Sequence, residues 1–235
     1  MFSIYKKEVK SYFYSPIAYI MIGLFVLIVA IFYFSSNIIG LSSNFSDTIA
    51  ATSFLLIIII PILTMRLIAE DRKSGVEVVL LTSPTSIGKI IIGKYLATLT
   101  VFLMMTIITI IFPVIMSFFG TVSLAQIIST YLGFVLLGVA FIAIGIFASS
   151  LTENQIVAVV ISFVILLVMW MVGPIGTYAG GILATVLTWV SLPVKFSNFT
   201  SGILDLSDII YFLSFAGLFI FLTIRMIERR RWSQG

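Results

Sequence analysis

Long apolar runs dominate the chain, and short polar clusters separate them. An α-helix needs about 20 apolar residues to cross the hydrocarbon core of a bilayer. Runs of roughly this length predict spans at residues 16–39, 49–68, 90–119, 124–150, 156–173 and 209–227. The pattern therefore predicts an all-α integral membrane protein, with one transmembrane domain over residues 1–235.

The charged residues predict which ends of these spans face the cytoplasm. No charge occurs from Asn154 to Pro193, so that stretch could hold one span or two. Cytoplasmic loops are enriched in Lys and Arg. Six spans place 12 of the 13 Lys and Arg on or near that side, with Lys195 as the exception, whereas seven would put the Arg-rich tail outside. We therefore expect six transmembrane helices with cytoplasmic N- and C-termini.

This topology assigns the segments between the spans. Residues 69–89 become a cytoplasmic loop, and residues 174–208 become an outer re-entrant or interfacial segment before the last span. Trp189 suits that outer boundary, since Trp is enriched at membrane–water interfaces. Small residues of the fourth span are expected to let helices approach closely; they are Gly133, Gly138, Ala140 and Gly145.

The first 15 residues predict an amphipathic helix in the cytoplasmic interface. Apolar residues recur there at helical spacing, namely Phe2, Tyr5, Val9, Tyr12 and Phe13. Lysines lie largely on the other face. The residues expected to act at the interface are Tyr5, Lys6, Lys7, Val9 and Lys10. The alternative interpretation is a simple charged flank of the first span.

Composition narrows the chemistry. Apolar residues make up 61% of the chain and charged residues 9%, far below the roughly 25% of soluble domains. The net charge of +4 comes from cations at the ends of apolar runs, which favours a topological role over nucleic-acid binding. The chain has no Cys and no His, so thiolate chemistry and the commonest general base are excluded. We expect no catalytic, cofactor-binding or metal site.

Long cationic side chains and one partial motif need separate interpretations. Arg66, Lys94 and Arg225 lie near cytoplasmic ends of spans, where we expect them to extend to water. No ionisable residue is expected in mid-span, which disfavours an ion-coupled carrier. Residues 88–95, GKIIIGKY, partly match a phosphate-binding loop, but Tyr95 replaces the Ser or Thr that would hold magnesium. We therefore expect no nucleotide site in this chain.

The densest polar cluster follows the second predicted span. It combines three acids with three bases: Glu70, Asp71, Glu77, Arg66, Arg72 and Lys73. Apolar residues accompany them outside the predicted bilayer: Val76, Val78, Val79, Leu80 and Leu81. An exposed apolar patch rimmed by charge is typical of a surface that binds another protein. The alternative is a solvated loop whose cations only orient the spans.

Three regions together resemble a known family. The first is the loop from Met65 to Glu77 with the sequence LLTSP at residues 80–84, although Asp71 and Val76 stand where Glu and Thr are more usual. The second comprises Phe196, Phe199, Gly202, Asp205, Asp208 and Tyr211, and the third is the basic, Trp-containing tail of residues 225–232. These regions resemble the permease subunit of ABC-2-type transporters, especially the gliding-motility-type and nitrous-oxide-reductase-maturation-type permeases.

The resemblance implies a permease without enzymatic activity of its own, in the cytoplasmic membrane of a prokaryote. Two permeases would form a homodimer or heterodimer, and each would bind a separate ABC ATPase subunit that holds ATP and Mg. An auxiliary membrane or extracytoplasmic subunit is a further candidate partner, besides the lipid bilayer. The loop would serve as a coupling helix. Its expected docking residues are Glu70, Asp71, Arg72, Gly75, Val76, Glu77, Leu80, Leu81, Ser83 and Pro84.

The expected function is therefore ATP-driven export across the cytoplasmic membrane. One alternative is a non-transporting membrane assembly or motility component that transmits ATPase movement through the same fold. A channel or ion-coupled carrier is a third hypothesis, and an ATPase gene beside this one would disfavour it.

Overall fold

The computed structural model describes residues 1–77, 85–120, 122–178 and 180–233, and these ranges contain helices and connections without strands. The helices in chain order are α1 Phe2–Tyr14, α2 Pro16–Tyr33 with a π-helical extension Phe34–Ile39, α3 Phe45–Ser53, α4 Leu56–Thr64, α5 Arg66–Lys73, α6 Ile87–Thr109, α7 Ile111–Ser117, α8 Leu124–Leu151, α9 Gln155–Tyr178, α10 Gly181–Val190, α11 Leu192–Thr200 and α12 Leu206–Ser233.

Five helical segments in the described ranges are long and apolar enough to cross a membrane. They are Pro16–Ile39, Ile87–Ser117, Leu124–Leu151, Gln155–Gly176 and Leu206–Arg230. The bent pair Phe45–Ser53 and Leu56–Lys73 gives a sixth candidate when it is counted as one span. The prediction of an all-α, multi-pass membrane fold is confirmed.

The second predicted span, residues 49–68, is a bent helix whose two parts meet at 53°. The hydroxyls of Thr52 and Ser53 donate to carbonyls in the preceding turn. The amides that follow, beginning with Leu55, bond three residues back, as in a tighter 3₁₀ turn. Such hydroxyl bonds often bend helices. Beyond the bend, helical structure reaches Lys73, past the predicted end at residue 68.

Helix α8 lies at the centre of the bundle and packs along α12, α9, α11, α4 and α6. Three of its glycines make this possible. A Cβ at Gly133, Gly138 or Gly145 would overlap a side chain of a neighbouring helix; the side chains are Phe199, Phe102 and Thr64, respectively. Small residues therefore do permit close helix contacts here, as predicted.

Helix α1 lies across the first turns of α6. Ile4 contacts Gly93, and the Tyr5 hydroxyl is 3.0 Å from that of Thr100. The predicted amphipathic pattern is largely present, since Tyr12 is buried and the lysines are exposed. Phe2, which the pattern places on the apolar face, is instead 73% exposed. The apolar face of α1 thus packs against protein.

Two short helices, α10 and α11, occupy much of the predicted outer segment of residues 174–208. Helix α9 continues through Pro174 to Tyr178, so the interruption comes later than predicted. Gly180 and Gly181 supply it, with φ angles of 46° and 65° that favour glycine. Helix α11 then begins at a Ser191 cap, whose hydroxyl accepts from the Val194 amide, and packs on α8.

Candidate functional site

Helix α5 carries the first part of the mixed-charge cluster and is fixed to the end of α8. Its apolar residues Leu67, Ile68 and Ala69 are buried. The Ser149 hydroxyl accepts from the Ile68 and Ala69 amides at 3.2 and 3.1 Å and donates to the Met65 carbonyl at 2.9 Å. A break in a helix leaves amides without helical partners, and this serine satisfies two of them.

A buried lysine joins α5 to two other helices. Lys94 of α6 lies 2.8 Å from the Glu8 carboxylate of α1 and 2.7 Å from the Asp71 carboxylate of α5. The exposed fractions of these side chains are 3% for Lys94, 12% for Glu8 and 15% for Asp71. The expectation that Lys94 extends to water is therefore wrong. Its charge is buried because two carboxylates compensate it.

A second ionic cluster begins one residue further along α5. Arg72 lies 2.6 Å from Glu153, in the α8–α9 connection, and 3.3 Å from Glu77. Glu77 is also 3.8 Å from Arg230 of α12, which donates to the Ser150 carbonyl. Burial raises the pKa of the Glu77 carboxyl, and the nearby Arg230 and Arg72 oppose that shift. The cluster links α5 to both α8 and α12.

These contacts give the predicted docking residues different surroundings. Asp71, Arg72 and Glu77 form ion pairs within the chain, whereas Glu70 and Gly75 are exposed and Val76 is half-buried. Leu80, Leu81, Ser83 and Pro84 lie outside the described residues. Docking of a partner on this set remains a prediction.

Helix α1 is attached to the same end of the bundle by its tyrosine side. The Tyr12 hydroxyl donates to the Leu63 carbonyl at 2.7 Å and is 3.1 Å from the Thr98 hydroxyl. The Arg66 guanidinium lies 4.9 Å from the centre of the Tyr12 ring and donates to the Ser11 carbonyl at 3.2 Å. Burial raises the pKa of the Tyr12 hydroxyl, which stays protonated as a donor.

At the opposite end of the bundle, Lys195 and Asp208 form an ion pair of 2.8 Å. Asp208 is fully buried and also accepts from the Asn198 amide at 2.7 Å. Lys195 is the one cation that the six-span topology does not place on or near the cytoplasmic side. Its charge is neutralised because a buried carboxylate faces it.

The sequence interpretation missed Glu8 and Lys94 as members of the site. Glu8 is four residues from Ile4 and from Tyr12, so helical spacing places it on the packed face of α1. That spacing was a usable signal. Nothing in the local sequence distinguishes Lys94 from a cation that reaches water, because its partners come from residues 8 and 71.

The chemistry that these groups can perform is ion pairing and hydrogen bonding. No group of three or more potential metal-ligating His, Cys, Asp or Glu residues comes together in the described parts of the chain. The carboxylates of Glu8, Asp71, Glu77 and Glu153 each face a Lys or Arg that would compete with a bound cation.

Fold and polar clusters together define a multi-pass helical membrane protein whose charged site lies at the end of the bundle where α1 and α5 meet. The family model described as "ABC-2 family transporter protein" matches residues 40–227, which is most of the chain. The chain therefore belongs to the ABC-2 transporter family and is a permease component of an ABC transporter. No curated protein matches the chain.

Proposed function

We propose that this permease couples ATP hydrolysis by a separate ABC ATPase subunit to export across the cytoplasmic membrane of a prokaryote. ATP and Mg would be held by the ATPase, and a second permease, identical or related, would complete the membrane unit. Within the family, the loop and tail motifs favour the gliding-motility or nitrous-oxide-reductase-maturation type. An auxiliary membrane or extracytoplasmic subunit is a further candidate partner.

One observation carries the coupling proposal: the segment after the second span is connected by charge to much of the bundle. Asp71 is tied through Lys94 to α6 and α1, and Arg72 and Glu77 are tied to the α8–α9 connection and to α12. Opposite charges that are partly buried attract one another more strongly than the same charges in water. A displacement of α5 by a bound partner would therefore be transmitted to several spans at once.

The face of α5 that points away from the bundle offers a surface for such a partner. Glu70, Lys73, Ser74 and Gly75 are exposed there. Gly75 has a φ of 73°, which favours glycine and lets the chain turn away after α5. The charged side chains on this face would meet the ATPase, while those on the opposite face would hold the bundle.

The test is a charge reversal on the exposed face. Glu70→Lys in the permease, co-expressed with its partner ATPase subunit, should reduce ATPase co-purification and stimulated hydrolysis at least about tenfold, a typical effect of one interface hot spot. Glu228→Lys is the matched control, because Glu228 is a partly exposed glutamate at the end of α12. Normal association of the Glu70 variant, or equal loss in the control, would contradict the proposed docking face.

A second measurement separates export from transmission of movement alone. The complex would be reconstituted in sealed vesicles with ATP on the ATPase side, and a panel of labelled lipids, peptides and small solutes would be followed. Nucleotide-dependent movement of any of them supports export. ATP turnover with no movement across the panel would instead support a non-transporting assembly or motility component.

A further inference from the structure

The outward face of α1 borders an open groove of about 940 Å³ that is lined by cations. The lining residues that matter for its chemistry are Phe2, Lys6, Lys7, Lys10, Tyr14 and Arg66. The opposite face of α1 is occupied by its contacts with α6 and α4 through Tyr5, Glu8 and Tyr12. The groove is thus the side of α1 that the bundle does not cover.

The cations of this groove are poorly compensated by the chain. Among the described residues, no carboxylate lies within 4.0 Å of the amino groups of Lys6 and Lys10. Lys7 is 3.8 Å from Glu8, but the same Glu8 oxygen is 2.8 Å from Lys94. Four positive groups therefore border one open groove, with one shared carboxylate beside them. Such an arrangement favours an anionic ligand.

The groove lies where the chain enters its first span. Ser15 has an extended backbone between α1 and α2, and Pro16 is the first residue of the span. Phe2 and Tyr14 are 73% and 85% exposed at the two ends of the lysine row. Exposed aromatic rings beside lysines are typical of the level of lipid headgroups.

The first turns of α2, which directly follow Ser15 of the groove, expose apolar side chains suited to acyl chains. Tyr19 and Ile20, one turn into α2, are 59% and 60% exposed. A ligand with a phosphate in the groove could therefore place hydrocarbon along α2 without leaving the membrane. A free phosphate would use the lysines but not this surface.

We propose that the α1 groove binds the phosphate headgroup of an anionic phospholipid, with Lys6, Lys10 and Arg66 as its principal cationic contacts. Basic pockets beside membrane helices favour anionic headgroups, at about 1 kcal/mol per Lys or Arg near the surface. That value corresponds to about a fivefold change in binding per lysine. The bound lipid would hold α1 against the membrane while Glu8 and Tyr12 hold it against α6 and α4.

The binding test uses the natural absence of cysteine. A single fluorophore is attached to Ile20→Cys, and the full-length chain is placed in phosphatidylcholine vesicles containing increasing phosphatidylglycerol. Acyl-brominated forms of each lipid quench a nearby fluorophore, so their ratio reports local selectivity. Lys6→Gln with Lys10→Gln should reduce selectivity for phosphatidylglycerol about 25-fold.

Matched variants distinguish a built site from general attraction of lysines to the membrane. Lys89→Gln with Arg229→Gln removes the same charge from two exposed cations elsewhere in the chain and should leave selectivity unchanged. Lys6→Arg with Lys10→Arg should also retain it, because the charge is kept. Equal loss in both Gln pairs, or no loss in either, would overturn the proposal.

Two further arms distinguish the sources of the anion. Soluble glycerol phosphate at millimolar concentration should fail to displace phosphatidylglycerol, and full displacement would indicate a soluble phosphate ligand instead. In the other arm, the ATPase subunit is added. If Lys6→Gln with Lys10→Gln lowers ATPase binding and leaves lipid selectivity intact, the groove is a surface that binds protein and the lipid proposal is wrong. The proposal does not depend on the coupling role of α5.

Discussion

The polar clusters at the two ends of the bundle differ in what they connect. Lys195 and Asp208 join α11 to α12, which follow each other in the chain. Lys94, by contrast, brings together residues 8 and 71 from α1 and α5. The first cluster stabilises the connection between two consecutive helices, whereas the second holds distant parts of the chain together.

The difference also concerns what each cluster leaves exposed. Asp208 is fully buried and is satisfied by Lys195 and Asn198. At the other end, exposed Glu70 and Lys73 flank the paired Asp71 and Arg72 on one short helix. A cluster that is paired inside and charged outside can pass a displacement from a partner to the bundle. The distance in sequence between the partners and the exposure of neighbouring charges, more than the number of charges, therefore separate a local stabilising contact from a candidate transmission element.

Sidedness is the largest contrast to test, because the expected result is all or none. A single cysteine at Ser74 should react with a membrane-impermeant maleimide only from the cytoplasmic side, and one at Ser197 only from outside. Both side chains are exposed, and the chain has no native cysteine. Intact cells and inverted vesicles provide the measurement. Labelling of both positions from the same side would refute the assignment of the two clusters to opposite faces.

Lys94→Met should be the most destabilising change within either cluster. It leaves the buried Glu8 and Asp71 carboxylates facing each other without a cation, and removal of one partner from a buried ion pair costs about 3–5 kcal/mol. We expect a lower apparent Tm in detergent. In lipid vesicles, where the folded chain is more stable, we expect weaker stimulation of the ATPase.

A compensated variant provides the control for this prediction. Glu8→Gln and Asp71→Asn together with Lys94→Met remove the unpaired charges, so most of the stability should return. If ATPase stimulation also returns fully, the ionic link is a stabilising contact with no part in coupling.

Lys195→Met should have a smaller effect, confined to stability. Asp208 loses its cation but still accepts from Asn198, and a hydrogen bond to a charged group is worth about 1.5–3 kcal/mol. We expect an apparent Tm between those of the wild type and Lys94→Met, with ATPase stimulation per folded complex unchanged. A loss of coupling equal to that of Lys94→Met would remove the functional distinction between the two ends.

The sequence accounts well for the elements and less well for their connections. Hydropathy located the first span at residues 16–39, the limits found in the structure, because lipid exposure selects a continuous apolar run. The bend between α3 and α4 was missed because it depends on the Thr52 and Ser53 hydroxyls competing for backbone carbonyls. A hydropathy pattern contains no information about such hydrogen bonds.

The candidate site divides in the same way. The mixed charge around residues 70–77 was visible as an excess of acids that orientation does not require. Which of these acids face inward was not visible, since the partner of Asp71 is Lys94 of α6 and Glu77 also faces Arg230 of α12. The small size of Gly133 and Gly138 was visible in the sequence. Which side chains fill the space beside them is known only from the packed structure.

By itself, the sequence determined that this is a helical membrane protein. Backbone N–H and C=O groups in lipid must form their hydrogen bonds within the protein, and the long apolar runs of this chain meet that requirement as helices. The sequence also located the polar segments, since charge avoids hydrocarbon. The tertiary structure decided how the charges are used. A buried cation is tolerated only where carboxylates meet it, and the chain supplies those for Lys94 and Lys195 from helices that only folding brings together.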